Sequence, residues 1–126
     1  MSAEYRIDKK RRLVLSTGSG PFTMADALAH QDKLLHDPDF APDFCQLWDL
    51  SLVTEVQLTS DDLRRLAQRP VFSPDSRRAV LVSSDLAFGL SRMFAIFREI
   101  LGETGIRVFR DRGEALDWVL GKNSID

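Results

Sequence analysis

The side chains able to do chemistry in this chain are few and scattered. Cys45 is the single cysteine, and His30 and His36 are the two histidines. A thiol nucleophile needs a depressed pKa and a neighbouring base. Cys45 instead falls in the mostly apolar stretch from Phe44 to Leu50, where an isolated cysteine serves as a small hydrophobe. The two histidines lie six positions apart, which on one helix turns them away from each other. No His-Glu-x-x-His run or cysteine–histidine spacing occurs, so the sequence holds no structural-metal motif. His30 reads as a surface residue at a helix edge, and His36-Asp37-Pro38-Asp39 as a solvated helix end. Gly18-Ser19-Gly20 precedes a helix, but Thr23 stands where a dinucleotide fingerprint needs its third glycine, and no Gly-Lys-Ser/Thr follows. It reads as a turn. No nucleophile–base constellation supports a hydrolase, and no cofactor is implied.

Three further positions merit weight. Asp49 follows Trp48 near the end of the central strand, and ligands of open α/β sheets sit beyond the carboxyl ends of strands. Its plainer role is to accept hydrogen bonds from backbone amides in the next turn. Phe88 lies on the polar side of the longest helix, about 200° from Leu86, with Arg92 one turn on. The pair can stack, either as an ordinary exposed contact or as an anchor for a partner or ligand. Lys9-Lys10-Arg11-Arg12 is the densest basic run, and a solvated turn accounts for it.

These residues must be positioned by elements the pattern makes visible. Tyr5–Asp8 and Leu13–Leu15 form a hairpin about Lys9-Lys10, and Gly18-Ser19-Gly20-Pro21 is turn chemistry. Thr23 caps a helix from Met24 to about His36. Phe44–Leu50 is a central strand, with Val56-Gln57-Leu58 beyond it. Thr59-Ser60-Asp61-Asp62 opens a second helix that buries Leu63, Leu66 and Ala67 and stops at Pro70, its hydroxyls capping and its carboxylates opposing the positive helix end. Arg78–Val82 is a strand buried on both faces. Ser83-Ser84-Asp85 caps the longest helix, about Leu86 to Leu101, whose core stripe comprises Leu86, Leu90, Met93, Phe94, Phe97, Ile100 and Leu101. Ile106–Phe109 is a last strand and Arg112–Leu120 a last helix. The order ββαβαβαβα predicts a mainly parallel, mixed sheet. One domain over 1–121 and a frayed tail at 122–126 are expected.

Composition bounds the class. The 126 residues are 44% hydrophobic and 29% charged, with 17 basic and 19 acidic side chains and a net charge of −2. That excludes a strongly basic nucleic-acid binder and a disordered chain. The balance hides an asymmetry: residues 1–63 carry six basic and eleven acidic side chains, residues 64–126 eleven and eight. The longest apolar runs fall far short of a membrane span. With one cysteine and a polar start, a cytoplasmic domain is expected.

The element order, with LWDLSLV on the central strand and LTSDDLRRL opening the next helix, resembles the STAS domain family, whose best-known members are anti-sigma-factor antagonists of the SpoIIAA type. RRAVLVSSDLAFGLSRMF and VFRDRGEALDWV resemble a bacterial subgroup of single-domain proteins of that kind, and the likeness runs from about Tyr5 to Gly121. The resemblance implies a two-layer α/β domain that binds rather than catalyses: a regulatory kinase, another such domain, or a small ligand, since the superfamily also resembles CRAL-TRIO-type lipid-binding domains. In the antagonists a serine at the start of the second helix is phosphorylated. Ser60, or Thr59 after it, inherits that position, although the flanking Asp and Gly of the family motif are absent and Asp61 and Asp62 oppose added negative charge. The leading expectation is thus a non-enzymatic regulatory module binding a protein partner around Thr59 and Ser60, with Phe88, Arg92 and Asp49 as further surface. The alternative is a small-ligand or lipid-binding domain, favoured by eight phenylalanines in so short a chain. A homodimer would follow if the helices left one sheet face bare.

Overall fold

A computed structural model describes residues 3–102 and 104–121, so the tail expected at 122–126 lies outside the described residues. The elements follow in the expected order: β1 (Ala3–Asp8), β2 (Leu13–Thr23), α1 (Met24–Leu35), β3 (Cys45–Gln57), α2 (Ser60–Ala67), β4 (Arg78–Leu81), α3 (Asp85–Ile100), β5 (Ile106–Phe109) and α4 (Arg112–Val119). They build one sheet in the order β1-β2-β3-β4-β5. β1 runs antiparallel to β2, and all other neighbours are parallel.

Local chemistry sets the helix starts. Thr23 and Thr59 each accept a hydrogen bond from the backbone N–H three residues on, at Asp26 and Asp62, and each aspartate accepts one back from the threonine N–H. These are two complete capping boxes. Ser84 and Asp111 cap α3 and α4 through single bonds to the N–H groups of Ala87 and Glu114.

Strand parity divides the core. Leu13, Leu47, Ala79 and Leu81 face Ala115 and Val119 of α4. Their neighbours Val14, Trp48, Val80 and Val82 face the opposite side, which α1, α2 and α3 cover. α4 thus covers the second face over Leu13, Leu47, Ala79 and Leu81, while Leu52 of β3 stays exposed.

Two expectations are corrected. Gly18-Ser19-Gly20-Pro21 is not a turn but part of β2, which continues to Thr23 beside a β3 that itself extends to Gln57. The pairing register shifts between Thr17 and Ser19 and again between Gly20 and Pro21. Each shift inserts one extra residue in β3, the geometry of a β-bulge, and Gly20 takes up a positive φ of 62° there. The second correction concerns α3. It touches the core along a narrow line, and its buried residues are Ala87 and Arg98. Leu86 and Ile100, assigned to the core stripe, are 63% and 75% exposed, and Leu101 is exposed as well. The apolar arc of α3 is wider than the eight-residue α2 beside it can cover.

Gly105, just before β5, sits where a side chain has no room. A Cβ there would lie 2.1 Å from the Ser76 carbonyl oxygen, a backbone atom. Gly105→Ala should therefore lower the free energy of unfolding by about 1–3 kcal/mol through overpacking, read as a shift of the urea midpoint. An unchanged midpoint would mean the Ser76 loop yields freely.

Candidate functional site

The bulges have a consequence for β3. They bring Leu50, Val53 and Val56, three residues apart, to the same side of the sheet, facing the helices. That side carries a cavity of about 120 Å³. Trp48 and Leu50 form part of its floor, with Phe22 from β2, Ala27 and His30 from α1, Leu63 and Leu66 from α2, and Ala87, Leu90 and Phe94 from α3 around it. α1 packs on β1 and β2, while α3 packs on α2 and β5. The groove opens between these two groups of helices, above Trp48.

His30 is buried in this wall, 6% exposed, which corrects its assignment to the surface. It lies on the same helical stripe as Ala27 and Leu34, three and four residues away, and that stripe faces the sheet. Its ring stacks on Trp48, with centroids 4.6 Å apart, and meets Tyr5 edge-on at 5.4 Å. Its Nε2 is 2.9 Å from the Ser16 hydroxyl, whose oxygen also accepts a hydrogen bond from the Gln46 amide at 3.0 Å. According to the tautomer of the ring, the hydroxyl donates to Nε2 or Nε2–H donates to the hydroxyl. Burial holds the His30 pKa down at about 4, and the positive Lys33 one turn on adds to this.

A serine–histidine pair invites a nucleophilic reading, and the geometry opposes it. Ser16 is buried and does not line the cavity. A base with so low a pKa is weak, and among the described residues no carboxylate is bonded to the ring to orient it. The three residues form a satisfied polar bridge from β2 and β3 to α1.

The residues marked out in sequence lie elsewhere and do not meet. Thr59 spends its hydroxyl on the helix cap, and Ser60 is exposed beside it. Asp49 points to the α4 face, where Ser51 donates to it through N–H and hydroxyl and Arg112 binds it at 2.9 Å. A backbone amide does donate to Asp49 as expected, but Ser51 belongs to β3 and not to a turn. Phe88 stacks with Arg92 at 6.0 Å as the spacing suggested, and more closely with Arg110 at 4.6 Å. Cys45 is half-buried against the α4 cluster. In the basic turn, Lys9, Arg11 and Arg12 pair with Asp39, Asp8 and Asp43, which matches a solvated turn. Gln46 and Trp48 were given no role in the sequence, and His30 was placed on the surface. Strand parity was the available signal for Trp48, since the residue beside Asp49 must face the other side of the sheet.

Among the described residues no group of His, Cys, Asp and Glu side chains is placed to hold a metal ion, and no helix is long and apolar enough to cross a membrane. No protein-family model matches the chain, and no curated protein matches it in sequence. Among solved structures it is similar to the crystal structure of an uncharacterised protein from the DUF3478 family with a SpoIIAA-like fold, from Shewanella loihica. The two share 18% identity at a TM-score of 0.64, over 94% of each chain. Likeness at that identity is likeness of fold, and the fold of this chain is SpoIIAA-like.

Proposed function

We propose that this chain is a non-catalytic binding module that holds a small apolar ligand in the groove above Trp48. The observation carrying this is the cavity above Trp48, about 120 Å³ with almost wholly apolar walls, whereas the recess of about 290 Å³ between α3 and β5 is lined more by polar surface. Ligand and cavity would meet through apolar burial and aromatic contact with Trp48, and no bond needs to break.

Filling the cavity tests the reading. Ala87 lies in its wall, on the buried line of α3. Ala87→Phe adds roughly 100 Å³ of side chain, comparable with the void, so stability should hold or rise as in other cavity-filling changes. Native mass spectrometry of the purified chain should show a retained apolar molecule that the variant lacks, and the variant's affinity for an added apolar probe such as 1-decanol should fall at least about tenfold. A folded Ala87→Phe protein that binds the probe unchanged removes the groove as the site.

A second reading, a regulatory module that binds a protein partner, draws on a different observation. Leu86, Ile96, Ile100 and Leu101 lie exposed on or at the end of α3, and single-chain surfaces rarely gather such residues without use. Ser60 is exposed at the start of α2, as a phosphorylated hydroxyl would need to be. Ile100→Lys separates the two readings: it should abolish partner capture while leaving ligand in the groove.

A further inference from the structure

β5 ends the sheet on one side, with α3 against one face and α4 against the other. The carbonyls of Gly105 and Phe109 turn to β4, where they accept from the N–H groups of Arg78 and Val82. Backbone groups alternate in direction along a strand, so those of Ile106 and Val108 point out along the free edge. Their side chains join the cluster of Val80, Val82 and Ala87 on the α3 side, whereas Arg107 between them turns to Trp118 on the α4 side. Beside this edge lies the recess of about 290 Å³, with Arg92, Ala95, Ile96 and Glu99 of α3 along its other wall. We propose that the edge of β5 takes an extended segment of a protein partner as an added strand, and that this segment carries two consecutive acidic residues.

An added strand would hydrogen-bond the N–H and C=O groups of Ile106 and Val108, and its side chains would alternate between the two faces. Of two neighbouring side chains, one then falls beside Arg107 and the next enters the recess beside Arg92. Among the described residues neither arginine is paired with a carboxylate. Arg92 stacks on Phe88, and Arg107 on Phe109 and Trp118. A guanidinium on a ring keeps its charge and its donors for an incoming carboxylate. Arg110 is already paired with Asp85, but its stacking on Phe88 sets the start of α3 beside the C-terminal end of β5. Glu99 lies seven residues beyond Arg92, about 10 Å along the helix. The acidic preference is therefore confined to the Arg92 end, and an apolar residue two positions along the segment meets Ile96. A second copy of the chain fits this edge badly. Antiparallel pairing of two β5 strands through Ile106 and Val108 sets Arg107 directly against its own counterpart, a like-charge pair. The recess and the groove above Trp48 share no lining residue, and Ile100 lines neither, so the inference stands apart from both readings of the function.

The test uses the full chain and two peptides: acetyl-Ser-Val-Glu-Glu-Val-Ser-amide, and the same peptide with lysine in place of both glutamates, each titrated at neutral pH and low salt. The acidic peptide should bind at least about tenfold more tightly than the basic one. It should also slow amide exchange at Ile106 and Val108 by about tenfold or more, because those N–H groups become ladder donors. Arg92→Glu combined with Arg107→Glu, both at exposed positions, should reverse the preference. Equal binding of the two peptides overturns the proposal, as does binding of neither. A preference for the acidic peptide without slower exchange at Ile106 and Val108 puts the peptide off the edge and overturns it as well. So does a dimer in sedimentation with those two amides already protected, since a second copy would then hold the edge. Should the double variant fail to fold, exchange at Ile106 and Val108 in the unaltered chain decides the matter alone.

Discussion

Between pH 6.5 and pH 4 the protein should lose about 3 kcal/mol of folding stability through His30 alone. The folded pKa of this imidazole, about 4, lies below its ordinary value of 6.5 because the ring is buried and faces the charge of Lys33. Above pH 6.5 it is neutral in both states and contributes nothing to the pH dependence. Below pH 6.5 the unfolded chain takes up a proton that the folded chain refuses, so the unfolding free energy falls by about 1.4 kcal/mol per pH unit until the folded protein also protonates near pH 4. Asp8 and Asp37 have carboxyl pKa values pushed below the usual range, by hydrogen bonds from Arg11 and from Tyr5 respectively. Their stabilising effect is present above the ordinary carboxyl value of 3.8 and lost below it, so the higher window isolates the histidine. Urea unfolding at pH 7.0, 5.5 and 4.5 measures the slope. His30→Phe keeps an aromatic ring against Trp48 and leaves Ser16 hydrogen-bonded to Gln46. That variant should flatten the slope across the window. An unaltered protein equally stable at pH 7.0 and 4.5, or a variant with the same slope, would show that His30 is not buried as a neutral ring.

The sequence made some of these features readable and concealed others for identifiable reasons. Helix starts were readable because capping is local: a threonine and an aspartate three residues apart mark both Thr23 and Thr59 as caps. The buried β4 was readable from the unbroken run Ala79-Val80-Leu81-Val82. The outer half of β3 was not. Its bulges space the inward residues Leu50, Val53 and Val56 by three, which breaks the alternation by which a strand is recognised. The same bulges recruit Gly18, Gly20 and Pro21, residue types that signal a turn when read locally. His30 was concealed by its polarity, although its spacing from Ala27 and Leu34 placed it on the inner stripe of α1. The candidate groove was the least legible feature. Its walls come from β2, α1, β3, α2, β4 and α3, and no short motif carries that juxtaposition.

Arg98→Ala should cost about 3 kcal/mol or more, whereas Ile100→Ser, two residues along the same helix, should change stability by no more than about 0.5 kcal/mol. A reading of α3 from periodicity alone gives the opposite order, because Ile100 lies on its apolar arc and Arg98 does not. The structure places Ile100 in solvent at 75% exposure and Arg98 at 1%. Removing the guanidinium leaves the carbonyls of Ala67 and Arg69 without the charged donor that bridges them at the C-terminal end of α2. Unmet buried carbonyls carry their full desolvation cost. A cation at a helix C-terminus also opposes the helix dipole favourably, and that contribution goes too. Arg98→Lys keeps the charge but loses the fork that reaches both carbonyls, so its loss should fall between the two. Because Arg98 ties α3 to the end of α2, its removal should also loosen the wall of the groove, raising amide exchange in α2 and α3 ahead of exchange in the strands. Equal losses for Arg98→Ala and Ile100→Ser would mean that α3 is held through its apolar stripe after all, and the exposed face of that helix would then have to be buried in solution.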